Sequence, residues 1–340
     1  MKSIYGLSLE DLKEYFVSIG LKPFRATQVY EWIYRKGIRS FDEITNIKKD
    51  VIENLKKDFS LDLLEVVTHQ IANDGTHKFL FKLFDGNLIE TVLMHHPYGY
   101  SACVTSELGC NMSCAFCASG MKKCIRGLDA AEVVLQLMSV EHEVGVKITH
   151  VVVMGIGEPF DNYDNIMKFL HIINNPHGLE IGARHISVST SGIVPRILDY
   201  AHEDLQSNLA ISLHAPNNEI RSQIMPVNKA YPLEMLIPAI KEYINITNRR
   251  VTIEYILLEG INNSVKNALE LAHLLKGMNV YVNLIPYNEV KEKPYIKSTH
   301  EHTTAFFDTL KKCKINVTQR YEYGSDIDAA CGQLRSKHME

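Results

Sequence analysis

Long apolar runs are missing from this chain of 340 residues: none approaches the roughly 20 residues that a membrane span requires. Its start, Met1-Lys2-Ser3-Ile4-Tyr5-Gly6, has neither the basic nor the apolar region of a signal peptide. Together these absences predict a cytoplasmic protein with no membrane partner. A surplus of basic residues is missing too. The formal net charge is −4, which excludes a protein that coats nucleic acid nonspecifically but leaves room for a local basic patch. Low-complexity segments are absent. With 46% hydrophobic and 22% charged residues, the composition is that of a globular protein able to bury a large core. In a reducing cytoplasm structural disulfides are rare, so the seven cysteines read as metal ligands or reactive thiols. Four of them fall between Cys103 and Cys117.

Hydrophobic periodicity divides the chain into four regions. Residues 1–62 read as a small helical domain, with Ser8 as an N-cap and an apolar stripe at helical spacing over Arg25–Tyr34. Its Lys22, Arg25, Arg35, Lys36, Arg39, Lys48, Lys49, Lys56 and Lys57 can meet RNA phosphates, although interspersed acidic residues fit a solvated surface as well. Residues 63–98 turn to a period of two and read as a β-meander linker. Within it Lys78–Phe84, Asp85-Gly86 and Asn87–Met94 predict a hairpin closed by a type I′ turn. Residues 99–300 alternate short β-branched runs with helical stretches, the pattern of an α/β protein built as a partial (β/α)6 barrel. Its strands are expected at Ala102–Ser106, His150–Gly155, His185–Thr190, Leu209–His214, Val251–Leu257 and Val280–Ile285. Residues 301–340 form a carboxyl-terminal segment. Barrel enzymes gather their reactive groups at the carboxyl ends of the strands, so the residues just past each strand are the place to look.

After the first of these strands comes Cys110-Asn111-Met112-Ser113-Cys114-Ala115-Phe116-Cys117, a C-x3-C-x2-C loop. Three thiolates can each ligate one iron of a [4Fe–4S] cubane and leave the fourth iron open, with the aromatic residue shielding it from water. The competing reading is structural zinc, which wants four ligands and usually shows paired C-x2-C units that are not present here. An open iron needs a chelating ligand such as S-adenosylmethionine, and the strand ends carry suitable groups. They are Met154-Gly155-Ile156-Gly157-Glu158-Pro159, Ser189-Thr190-Ser191-Gly192, Ser212-Leu213-His214 and Asn283–Asn288. Singly each fits an ordinary satisfied strand terminus; four at one barrel rim favour a ligand site.

These motifs, with Gly182–Pro195, Ala210–Pro216 and Asp326–Leu334, resemble the RlmN/Cfr family of radical-SAM RNA methyltransferases over nearly the whole chain. The segment around Cys331 makes the resemblance specific, because radical-SAM enzymes in general lack it. The resemblance implies a [4Fe–4S] cluster on Cys110, Cys114 and Cys117, and S-adenosylmethionine held by Gly157, Glu158, Ser189, Ser212, Leu213, His214 and Asn288. It makes Cys331 the methyl-carrying thiol, Cys103 its resolving partner and Glu90 a proton acceptor. It implies methylation of adenine C2 in 23S rRNA, in some members also of tRNA, with an external electron donor and a thiol reductant. Without it, Cys331 would read as a small buried hydrophobe and Glu90 as an exposed strand residue.

The chain departs from the family pattern at Glu107, where glutamine is usual, at the extra thiol Cys124, and at Arg126-Gly127-Leu128 in place of Arg-Asn-Leu. These differences leave the cluster loop intact and put its contacts with RNA in question, where Lys122, Lys123 and Arg126 are the candidates. Cfr-type methylation at adenine C8 is the nearest alternative reading, and a metal-stabilised RNA-binding protein without catalysis is another.

Overall fold

The computed structural model describes residues 1–327. Three amino-terminal helices, α1 (Leu9–Ser18), α2 (Phe24–Tyr34) and α3 (Lys49–Asp58), come first, with a short parallel pair of β1 (Lys2–Ser3) and β2 (Phe59–Ser60) tying the two ends of this region together. Ser8 starts α1 as expected: its side chain accepts from the Asp11 amide while the Asp11 carboxylate accepts from the Ser8 amide. The helices bury one face against the barrel region. Tyr30 donates to the Ile172 carbonyl, Asp11 pairs with Lys168 at 2.7 Å, and the apolar residues of both regions merge in one core.

The chain then enters a ten-stranded sheet whose neighbours keep sequence order throughout. β3 (Glu65–Ile71), β4 (His77–Lys82) and β5 (Leu88–His96) form an antiparallel meander, and β5 pairs antiparallel with β6 (Gly99–Cys103). From β6 onward every pairing is parallel: β7 (Ile148–Val153), β8 (Ile186–Thr190), β9 (Asn208–Ser212), β10 (Val251–Leu257), β11 (Val280–Pro286) and the short β12 (Val317–Gln319). The crossovers carry α4 (Ala130–Val144), α5 (Tyr163–Asn174), α6 (Val194–Ala201), α7 (Asn218–Ile224), α8 (Leu233–Thr247), α9 (Val265–Leu274) and α10 (His300–Lys312). Among the described residues β3 and β12 are free edges, so the barrel is partial.

Two local expectations need correction. Three of the six predicted barrel strands, the first, second and fourth, run two or three residues too far toward the carboxyl end. Val104, Thr105 and Ser106 favour extended backbone, and the Val104 amide still donates to Val152 O on β7, but the next two leave the ladder: Thr105 donates to Gln136 Oε1 and Ser106 to the Ile156 carbonyl, in the turn beyond β7. The hairpin between β4 and β5 closes through Phe84-Asp85-Gly86 rather than a two-residue type I′ turn. Leu83 and Asn87 are the last bonded partners, and of the loop residues only Gly86 has positive φ, +87°. That is the geometry of a three-residue loop ending in a left-handed glycine.

Candidate active site

Between β6 and α4 the chain spends residues 104–129 on a loop whose path is fixed by backbone hydrogen bonds. Leu108 donates to Arg126 O at 2.9 Å, Ile125 to Leu108 O at 2.7 Å and Cys110 to Lys122 O at 3.0 Å, so segments 107–110 and 122–127 run as a narrow two-armed ribbon. Residues 111–121 lie beyond its tip. They are anchored at the far side by the Ala115 amide, which donates to Ile224 O at 2.9 Å. The effect is to bring Cys110, Cys114 and Cys117 to the wall of one cavity, which Gly157, Glu158, Ser189, Ser212 and His214 also line.

The donor set discriminates between metals. Thiolates bound to one tetrahedral zinc at about 2.3 Å stand only about 3.8 Å apart. Among the described residues these three thiols do not come within 4.8 Å of one another as a set, which fits thiolates that serve separate irons. Burial pushes the Cys110 thiol up to about 12 and Cys114 well above its ordinary range, so ligation must displace protons. Phe116, Met225, Ile256 and Ile285 supply an apolar wall beside them.

On the opposite wall, the turn after β7 has no room for side chains at its glycines. A Cβ on Gly157, where φ is +111°, would stand 2.5 Å from Ser106 Oγ and 2.7 Å from Glu107 Cβ. Glu158 is buried, and its oxygens accept from the Ser191 amide at 2.7 Å and the Phe160 amide at 3.0 Å. It therefore ties the ends of β7 and β8 together, with the Thr190 hydroxyl also hydrogen-bonded to it. Ser189 Oγ and Ser212 Oγ lie 3.4 Å apart on adjacent strands. His214 has φ +58°, and its Nδ1 accepts from the Ile256 amide at 3.1 Å, leaving Nε2 as the protonated nitrogen. Burial and the neighbouring Arg221 charge hold this imidazole down to about 3. Leu213 packs into the main core and offers the site only its backbone. Asn288 is buried just past β11 and is not part of the cavity wall.

Glu90 and Cys103 come together on the lumen side of neighbouring strands. Cys103 packs with Val92, its register partner on β5, and Glu90 stands two residues before Val92 on the same face. Far from being an exposed strand residue, Glu90 is 3% exposed and pairs with the buried Lys78 at 2.8 Å. Cys331 lies outside the described residues.

Sequence reasoning missed three charged groups at this site. Glu254 lines the cavity from the middle of β10, where it is in register with Ser212 and Asn283, and it accepts from Asn283 Nδ2 at 2.9 Å. A lone carboxylate in Val251–Leu257, an otherwise apolar strand, is the signal that could have marked it. Arg320 lines the same wall. Arg221 is fully buried on α7 and gives no signal in the sequence. Arg126 is committed to the fold: its guanidinium holds Glu132 at 2.7 Å and Asp85 at 3.1 Å, joining the meander to α4, while Lys122 and Lys123 stay exposed.

Residues 2–61 match the family model described as the ribosomal RNA large subunit methyltransferase N-terminal domain, and residues 107–272 match the radical SAM superfamily. A probable dual-specificity RNA methyltransferase RlmN from Acholeplasma laidlawii is 56% identical, the match covering 99% of each chain. Its counterpart from Listeria monocytogenes is 56% identical over 99% of this chain and 94% of its own. Among solved structures, a radical SAM methyltransferase from Sphaerobacter thermophilus superposes with a TM-score of 0.93 at 42% identity, covering 98% of this chain and 99% of that one.

Proposed function

The chain belongs to the RlmN family of radical SAM RNA methyltransferases, and on that footing we propose that it methylates adenine C2 in 23S rRNA through an S-methylcysteine at Cys331. The dual-specificity RNA description of its relatives supports more than one RNA substrate, and the family resemblance makes the second one tRNA. The observation that carries the reading is convergence: three thiols from one loop and the polar ends of the strands after them line a single cavity, with Cys103 and Glu90 on neighbouring lumen positions.

Cys110, Cys114 and Cys117 would each ligate one iron, and Gly157, Glu158, Ser189, Ser212 and His214, which line the cavity, would hold S-adenosylmethionine; the resemblance adds Leu213 and Asn288, which stand behind that wall. When bound, the cluster and its cosubstrate supply the electron and the radical chemistry that activate an otherwise inert methyl group. Cys331, as thiolate, first takes a methyl from the sulfonium by displacement and becomes a thioether. One hydrogen atom of that methyl group would pass to the radical the cosubstrate supplies, the carbon would join C2 of the adenine as a methylene bridge, and the odd electron left on the adduct would return to the cluster. Glu90 or Cys103 accepts the proton lost from C2. The Cys103 thiolate attacks the Cys331 sulfur, so that an S–S bond forms as the S–CH2 bond breaks; the electron pair stays on carbon, which takes a proton and becomes the methyl group. An external thiol reductant opens the disulfide, and an external donor supplies the electron. The apolar surround of Cys103 keeps water from the carbon while the bridge exists. A stacked adenine cannot reach this depth, so the base must be presented unstacked.

Mass-spectrometric mapping of RNA treated with the anaerobically reconstituted protein tests the reading. The expected product is 2-methyladenosine. A product of 8-methyladenosine would replace C2 with C8, and bound but unmodified RNA with uncleaved S-adenosylmethionine would make the protein a binding module.

A further inference from the structure

The three departures from the family pattern meet at one place. Glu107 and Gly127 face each other across the two arms of the cluster loop in an antiparallel bridge, and the Cys124 thiol hydrogen-bonds the Glu107 carboxyl. Gly127 leaves a space that Asn162 fills: a Cβ there would stand 2.6 Å from the Asn162 amide, which donates to Ser106 O at 2.9 Å and Leu128 O at 2.7 Å. Glu107 is 3% exposed and lies directly behind the glycine turn that ends in Glu158. Its Oε2 accepts from the Glu158 amide at 2.7 Å, and its Cβ and Cγ fill the space that a side chain on Gly157 would need.

We propose that Glu107 is a positioning residue for the cofactor-binding turn, and that its carboxylate makes the pocket favour the cationic sulfonium of S-adenosylmethionine over the neutral sulfide S-adenosylhomocysteine. This rests on the assignment of the turn to the cosubstrate. The hydrogen bond from the Glu158 amide sets where Gly157 and Glu158 stand. Glutamine could accept that bond equally well; only the carboxylate adds a negative charge behind the wall. The titratable groups around Glu107 are Cys124, Glu158, Asp161 and Cys110, and among the described residues no salt bridge to a cation neutralises it. Burial, opposed by the Glu158 amide, brings this carboxyl up to about 7, so its charge fades in mild acid and is full in mild base.

The test measures binding of S-adenosylmethionine and S-adenosylhomocysteine to cluster-loaded native protein, Glu107→Gln and Glu107→Ala, by anaerobic equilibrium dialysis at about pH 6 and about pH 8.5. At the higher pH the native preference for the sulfonium should exceed that of Glu107→Gln about three- to tenfold, as expected for one partly screened charge. At the lower pH the two proteins should converge. Glu107→Ala should bind both ligands about tenfold more weakly than Glu107→Gln, because the Glu158 amide has lost its acceptor. Equal preferences in native protein and Glu107→Gln at the higher pH overturn the charge role. Alanine binding as well as glutamine overturns the positioning role. If Glu107→Ala does not fold, the ratio in Glu107→Gln still decides. Native protein that binds neither ligand refutes the cosubstrate assignment itself, and the proposal with it.

Discussion

Replacing Arg221 should loosen two walls of the cavity at once. From α7 its Nε donates to Leu213 O at 3.2 Å, one Nη to Asn228 Oδ1 at 2.9 Å and Tyr231 O at 3.2 Å, and the other Nη to Ser191 O at 2.6 Å. Ser191 and Leu213 end β8 and β9, so one guanidinium sets the spacing of two strand termini. Burial holds Arg221 down to about 10, which leaves it a cation at neutral pH, and the nearby Cys114 favours that charge. Arg221→Met strips donors from four buried oxygens, at about 1–3 kcal/mol each. Against this, the variant no longer buries a cation, a relief of several kcal/mol. The net loss should be about 3–5 kcal/mol, which lowers the thermal midpoint by roughly 4–7 °C in a chain of this size. Arg221→Lys keeps the charge without the fork and should fall between. Circular-dichroism melts of the three proteins at matched cluster loading check this. A methionine variant that melts with native protein refutes the account, and a lysine variant less stable than methionine shows that the buried charge outweighs the bonds.

Two further outcomes rest on buried groups. The His214 imidazole stays neutral when folded but protonates when unfolded, since burial holds it near 3 against an unfolded value near 6.5. Its contribution is complete above that unfolded value and is lost as pH falls below it, amounting to about 2 kcal/mol by pH 5. Denaturant melts should therefore show His214→Asn losing about that much less between neutral pH and pH 5; parallel losses would mean that the folded imidazole titrates normally. Cys103→Ala should still form the methylene bridge yet be unable to release it, so multiple turnover stops and RNA stays joined to protein through a thioether. Denaturing gels with and without thiol reductant should show a resistant adduct, and normal multiple turnover would remove Cys103 from the resolving role.

How much of this was legible in the sequence depended on whether the partners were close along the chain. Cys110, Cys114 and Cys117 lie within one loop, so their spacing alone marked them. Val251–Leu257 was readable to the residue because β-branched and aromatic residues dominate it on both sides of Glu254. The start of the barrel was not, because Val104-Thr105-Ser106 looks like strand and differs only in where its last two amides donate. Glu254 gains its meaning from Ser212 and Asn283, which the topology sets beside it from strands on either side. Arg221 sits in Asn218–Ile224, a short helix with nothing unusual in its pattern, and its four partners come from three separate stretches of chain. The engagement of Arg126 by Asp85 and Glu132 likewise depends on a meander turn folding back onto the cluster loop.

The barrel lumen is divided by chemistry in a way that suits two unlike tasks. Around β5 to β7 it is apolar: Val92, Met94, Cys103 and Ile156 pack together, with Val152, Met154 and Tyr323 against them. Across β8 to β11 it is polar, with Ser189 beside Ser212, Glu254 in register with Ser212 and Asn283, and Arg320 on the same wall. A cosubstrate rich in hydroxyl and charged groups gains from the polar side, where burial raises Glu254 and Asn283 and Arg320 offset part of its cost. Thiol exchange and a carbon bridge gain from the apolar side, where Val92, Met94 and Ile156 border Cys103. On the proposed assignment the methyl group must cross from one side to the other, so the two halves of the lumen serve one reaction in turn.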